Sequence, residues 1–138
     1  MAGKDTKRIL IVDPDASVRN GLSRLLRRNE IDVATAVCGE RALQRLREGE
    51  TFDALILDVL LPDMYGKELV GAIASESLLP LSRVLILTAM QNVDNATAYL
   101  QYGCAAYCGK PYDNDQVLQQ VLRILRGESV CREWGAIL

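Results

Sequence analysis

Three features of the sequence predict a doubly wound α/β domain, with a five-stranded parallel sheet and helices on both faces. Short apolar runs recur, as in RILIV (8–12), ALIL (54–57) and RVLIL (83–87). Runs that are apolar on every side chain suit strands buried on both faces, which occur in parallel sheets covered by helices. Segments with apolar residues at helical spacing separate these runs. Finally, a polar residue follows the runs at once: Asp13, Asp58, Thr88 and, after a glycine, Lys110.

Taken in order, Arg8–Val12 is the first strand and ends at Asp13-Pro14-Asp15. Asp15 caps a helix in which Val18, Leu22, Leu25 and Leu26 face inward, while Arg19, Arg24, Arg27 and Arg28 form the wet face to about Asn29. Asp32–Val37 alternates polar and apolar, as an edge strand does, and Gly39 then opens a helix that Gly49 stops. Ala54–Leu57 is the third strand; Pro62 and Gly66 keep the chain from running straight into the next helix, so Asp58 lies at a strand's end. A helix with Leu69, Val70 and Ile73 inward reaches about Ser75, and Leu79-Pro80 breaks the pattern before the fourth strand, Arg83–Leu87. Val93–Tyr102 reads as a helix of little amphipathic contrast, and Ala105–Cys108 as the fifth strand. Asp113 or Asp115 caps the last helix, which Gly127 closes. The reading is one domain over residues 1–127 and a tail or linker stub over 128–138.

With 138 residues, 49% of them hydrophobic, the chain can bury a substantial core without staples. A formal net charge of −2 gives no electrostatic footprint for nucleic acid. No apolar run reaches the roughly 20 residues of a membrane span, and the N-terminus lacks a signal peptide's apolar segment, so a cytoplasmic location is expected. Cys38, Cys104, Cys108 and Cys131 form no paired CxxC motif, and there is no histidine, which points to reduced structural cysteines rather than zinc.

If the strand order is 2-1-3-4-5, the switch point lies between the first and third strands, and Asp13 and Asp58 then face each other with Thr88 and Lys110 on the same rim. Two close carboxylates repel unless a proton or a cation intervenes. Magnesium suits hard oxygen ligands and also neutralises phosphate. A carboxylate beside it can attack a phosphoryl group to give an acyl phosphate, whose oxygens a threonine hydroxyl and a lysine ammonium can then serve. The constellation reads as a phosphoryl acceptor.

These residues resemble the receiver domain of two-component response regulators, over about Lys7 to Gly127. The resemblance rests on ILIVD at the first strand, LDVLLPDMYG around Asp58, LTA at Thr88 and YCGKPYD at Lys110. It implies the flavodoxin-like receiver fold, with Asp58 as phosphoacceptor, Asp13 as a magnesium-site acid, and magnesium contact by the backbone carbonyl of Leu60. It also implies Thr88 as switch hydroxyl, Tyr107 as switch aromatic, Lys110 as phosphate-binding lysine and a cis peptide at Lys110-Pro111. The implied partners are a histidine kinase or phosphotransfer protein as donor and an effector domain or downstream protein as recipient. Output through the fourth helix, fifth strand and fifth helix is implied too, with phosphorylation-dependent dimerisation as one form of it. That fourth helix carries Tyr99, Leu100 and Tyr102 but neither lysine nor arginine, so salt-bridged pairing through it is not expected. Such a domain is a phosphoacceptor rather than an enzyme, with at most self-phosphorylation and dephosphorylation activity.

One position departs from the family pattern. The family usually has two adjacent acids after its first strand, and here the second is Pro14. The metal loses a ligand unless Asp15 replaces it, whose simplest role is the helix cap. Pro14 also keeps open a binding module of the same fold that takes no phosphate. A third reading is a haloacid-dehalogenase-like phosphohydrolase, because Asp13-Pro14-Asp15-Ala16-Ser17 fits DxDxS/T with Asp13 as nucleophile and Asp15 as general acid. It leaves Asp58 and its loop without a role.

Overall fold

Residues 6–128 are described by the computed structural model. Five parallel strands, β1 (Arg8–Val12), β2 (Asp32–Ala36), β3 (Ala54–Leu57), β4 (Val84–Thr88) and β5 (Ala106–Gly109), form one sheet in the order β2-β1-β3-β4-β5. The helices α1 (Ala16–Arg28), α2 (Gly39–Arg47), α3 (Gly66–Ser75), α4 (Val93–Tyr102) and α5 (Asn114–Leu125) alternate with them. Both the fold class and the strand order expected from the sequence are present.

The period-two alternation of a strand sorts each apolar run onto two faces. Ile9, Ile11, Ile56, Leu85, Leu87 and Cys108 point to one side, where α1 and α5 cover them with Leu22, Leu26, Val117, Val121 and Ile124. Leu10, Val12, Leu55, Leu57, Ile86 and Tyr107 point to the other, against Leu43 and Leu46 of α2, Leu69 and Ile73 of α3, and Ala96 and Tyr99 of α4. Each fully buried Leu or Ile contributes roughly 1.5 to 3 kcal/mol of transfer free energy, so the two layers, and not helix propensity, hold the helices down.

The helix starts follow the side-chain chemistry of the sequence. Asp15 caps α1, Asn92 caps α4, and Asp113 rather than Asp115 caps α5 by accepting from the Gln116 N–H. Gly103, at φ 115°, ends α4 in the left-handed conformation that a side chain would strain. Three strands have limits that differ by one residue from the sequence expectation. β4 starts at Val84 because Leu81–Arg83 turn as a 3-10 helix and the Arg83 N–H is spent on the Pro80 carbonyl. β5 is shifted to Ala106–Gly109 because Gly109 pairs with Thr88, and β2 stops at Ala36. The Lys110-Pro111 peptide is cis. Burial pushes the Cys104 thiol up to about 12 and the Cys108 thiol up to about 11, so both are held as uncharged core groups. No helix among the described residues is long and apolar enough to cross a membrane. Cys131 and the remainder of the 128–138 tail beyond Glu128 lie outside the described residues.

Candidate functional site on the carboxyl rim of the sheet

Strand register brings the acids together. Val12 of β1 pairs with Leu57 of β3, so the residues that follow, Asp13 and Asp58, leave the sheet side by side at the switch point. Backbone bonds extend the ladder one step past the strands: Asp58 N–H donates to the Val12 carbonyl at 2.9 Å and Asp13 N–H to the Ala36 carbonyl at 3.1 Å. On the other flank Lys110 N–H donates to the Thr88 carbonyl at 2.9 Å. All of these residues therefore start from backbone fixed by the sheet.

Lys110 spans the acids. Its ammonium donates to Asp13 Oδ2 at 2.7 Å and to Asp58 Oδ2 at 2.8 Å. The carboxylates are almost wholly enclosed, with side chains 3% and 7% exposed, and the lysine side chain is 16% exposed. The outer oxygens are engaged as well, because Asp13 Oδ1 accepts from the Asp15 N–H and Asp58 Oδ1 from the Leu60 N–H. Burial works against the Lys110 charge, yet the hydrogen bonds and charges of Asp13 and Asp58 more than offset it and raise the ammonium above its usual pKa.

Thr88 is fully buried on the same rim, and its Oγ1 accepts from the Met90 N–H at 3.3 Å. Tyr107 is 1% exposed and its hydroxyl donates to the Met90 carbonyl. Burial first, and then the charge of Asp58, push the Tyr107 phenol up and keep it a donor. Thr88 and Tyr107 thus hold opposite sides of one residue, Met90, in the loop after β4. Tyr99 is buried at 7% exposure and packs on Tyr107 with ring centroids 6.0 Å apart, whereas Tyr102 is half exposed. Of the tyrosines considered on α4, one belongs to the core and one to the surface.

Some contributors carry no local signal in the sequence. Asp63, in the loop after Asp58, accepts from the N–H groups of Gly39 and Glu40 at 3.0 and 2.8 Å, and so caps α2 from 24 residues away. Although burial acts in the opposite direction, these bonds hold its carboxyl below the usual range. Arg19 donates to the Asp13 carbonyl at 2.8 Å. An Asp after a proline and an Arg on a wet helix face look ordinary until their distant partners are known.

Asp15 takes the place expected of a helix cap. Its Oδ1 accepts from the Ser17 hydroxyl at 2.8 Å and the Ser17 N–H at 2.9 Å, and these bonds lower its pKa. Asp15 thus acts as the cap of α1, whereas the phosphohydrolase reading gives it the part of general acid. The rim offers the carboxylates of Asp13 and Asp58, both hard oxygen donors. Among the described residues no group of three or more His, Cys, Asp or Glu is gathered. Magnesium keeps several waters and is commonly held by one or two carboxylates, so this donor set fits it, with Pro14 withholding a further oxygen.

Fold and rim together define a class, the flavodoxin-like receiver fold. The chain belongs to the response regulator receiver domain family, whose model matches residues 9–122. It is 35% identical over 125 residues to the transcriptional regulatory protein PrrA of Mycobacterium tuberculosis, covering 90% of this chain and 52% of that protein. The chain therefore spans about half the length of the curated relatives it matches. Among solved structures it is similar to a CheY-like receiver domain protein from Methanospirillum hungatei, with TM-score 0.80 and 28% identity over 89% of this chain and 96% of that one. It is also similar to a putative response regulator from Chloroflexus aurantiacus, with TM-score 0.78 and 33% identity over 88% of this chain and 99% of that one.

Proposed function

We propose that Asp58 accepts a phosphoryl group from a histidine kinase or phosphotransfer protein in two-component signal transduction in the cytoplasm. The observation that carries this reading is the Lys110 ammonium set between the buried carboxylates of Asp13 and Asp58. An Asp58 oxygen attacks phosphorus, the new O–P bond forms as the donor's N–P bond breaks, and the imidazole leaves and takes up a proton. Lys110 then turns from the carboxylate to a phosphoryl oxygen, and the Thr88 hydroxyl donates to another. Asp13, Asp58 and the Leu60 carbonyl would hold a magnesium ion, which would neutralise phosphoryl charge when bound. Because Thr88 and Tyr107 hold the same Met90, turning the Thr88 hydroxyl perturbs the loop leading into α4. Output therefore passes through the face of α4, β5 and α5 to an effector domain or downstream protein, with phosphorylation-dependent dimerisation as one outcome and no direct contact with nucleic acid.

Intact mass after incubation with a small phosphodonor tests the proposal. Wild type should gain one phosphoryl group only with a divalent cation present, and Asp58→Asn and Asp58→Ala should gain none. Undiminished labelling of Asp58→Asn, or labelling mapped to Asp13, overturns it. No gain in wild type under any condition favours the binding module that Pro14 suggests.

The acyl phosphate is expected to be long-lived. Its hydrolysis needs a water held in line with phosphorus, and the residues two beyond Asp58 and Thr88 are Leu60 and Met90, 46% and 37% exposed. Neither side chain can orient water. Leu60→Asn or Met90→Glu should shorten the phosphate's lifetime several-fold in a decay assay; equal decay rates in all three proteins would refute the assignment.

A further inference from the structure

Thr88 and Lys110 leave adjacent strands, and a side chain spans the loops that follow. Gln91 lies across Gly109 and donates from Nε2 to the Lys110 carbonyl at 2.5 Å. A Cβ at position 109 would come within 2.5 to 2.8 Å of three atoms of the Gln91 side chain, so the glycine makes room for this crossing. The Lys110 N–H is already spent on the Thr88 carbonyl at 2.9 Å. Both polar groups of the Lys110 backbone are thus held by the segment from Thr88 to Gln91, while its ammonium is held by Asp13 and Asp58.

We infer that Gln91 is a positioning residue for Lys110, an inference that rests on the reading of Asp58 as phosphoacceptor for its kinetic consequence but not for its geometry. A lysine side chain is a flexible four-carbon stem, so where its ammonium sits depends on how well its backbone is anchored. The sheet anchors the amide side of Lys110, and Gln91 anchors the carbonyl side. Small misplacements of a group that must meet a transferring phosphoryl oxygen are costly in rate. The strap also links the loop that carries Met90 to the lysine, so Thr88, Tyr107 and Lys110 all bond to that one loop.

The test compares wild type, Gln91→Ala, Gly109→Ala and the double variant. Phosphorylation by a small phosphodonor at saturating magnesium is resolved into maximal rate and half-saturating donor concentration, and hydrogen exchange at the Lys110 ammonium is followed by nitrogen-15 NMR without donor or metal. Each single variant should lower the maximal rate by roughly three- to tenfold, the worth of one neutral hydrogen bond, and speed ammonium exchange. The alanine at 109 displaces the strap that the other variant deletes, so the double variant should be no slower than the slower single one. Gln91→Glu, which keeps the length but cannot donate, should behave like Gln91→Ala and serves if Gly109→Ala does not fold. An unchanged maximal rate with unchanged ammonium exchange in Gln91→Ala, or additive losses in the double variant, overturns the inference. If wild type takes up no phosphate, the phosphoacceptor reading fails, and ammonium exchange alone still decides the strap.

Discussion

Lys110→Met is expected to destabilise the domain by about 3 to 5 kcal/mol at neutral pH, the usual consequence of removing one partner from a buried ionic cluster. Methionine keeps most of the stem's volume, so the loss isolates the charge. Asp13 and Asp58 would be left facing each other, 3% and 7% exposed, without their shared cation. The pH dependence carries a sign. Lys110 has its pKa raised by the fold despite the opposing effect of burial. Its contribution is therefore complete below the ordinary lysine value of about 10.4 and is lost as pH rises through the raised value. Urea unfolding of both proteins should show a constant difference between about pH 7 and 9 that shrinks only above about pH 10.4. A neutral-pH difference below about 1 kcal/mol would mean that water screens these carboxylates as it does at an open surface.

Pro14→Asp should tighten magnesium binding by at least about tenfold, since even the loss of groups outside the ligand shell costs about 10 to 100-fold in metal affinity. The structure sharpens the argument, because the obvious substitute is already occupied. Asp15 Oδ1 accepts from the Ser17 hydroxyl and N–H, which ties the carboxylate to the start of α1, and Asp13 Oδ1 accepts from the Asp15 N–H. Asp15→Ala in the otherwise unchanged protein should accordingly leave magnesium affinity as it is while loosening the start of α1 through loss of its cap. Removing the proline frees the unfolded chain and costs up to about 1 kcal/mol, so affinity is measured by metal titration of folded protein and not inferred from stability. Unchanged affinity in Pro14→Asp together with weakened affinity in Asp15→Ala would reverse the assignment and make Asp15 the missing ligand.

Much of the fold was legible in the linear chain, for local reasons. A strand buried on both faces shows itself as an unbroken apolar run, and a covering helix as a stripe at helical spacing, so β1, β3, α2 and α3 lie where period and punctuation put them. Caps were legible because an Asp before an apolar-periodic segment binds N–H groups only two or three residues away, as at Asp15 and, of the two candidates before the last helix, Asp113. Strand ends were less legible, since ladder pairing depends on the neighbouring strand: β5 reaches Gly109 because Thr88 of β4 is there to pair with it.

The candidate site divides along the same line. That Asp13, Asp58, Thr88 and Lys110 share one rim follows from their places at the carboxyl ends of parallel strands, whereas the order that sets Asp13 beside Asp58 was implied by the family resemblance and is present in the sheet. How they meet does not follow from the linear chain. Lys110 reaches Asp13 across 97 residues and Asp58 across 52, Asp63 reaches α2 across 24, and Gln91 reaches the Lys110 carbonyl across 19. Thr88, for its part, engages Met90. Backbone periodicity is a property of neighbours and survives in the order of letters; a bond between side chains far apart in the chain depends on stem length, rotamer and burial, which exist only once the two layers of core have closed on the sheet.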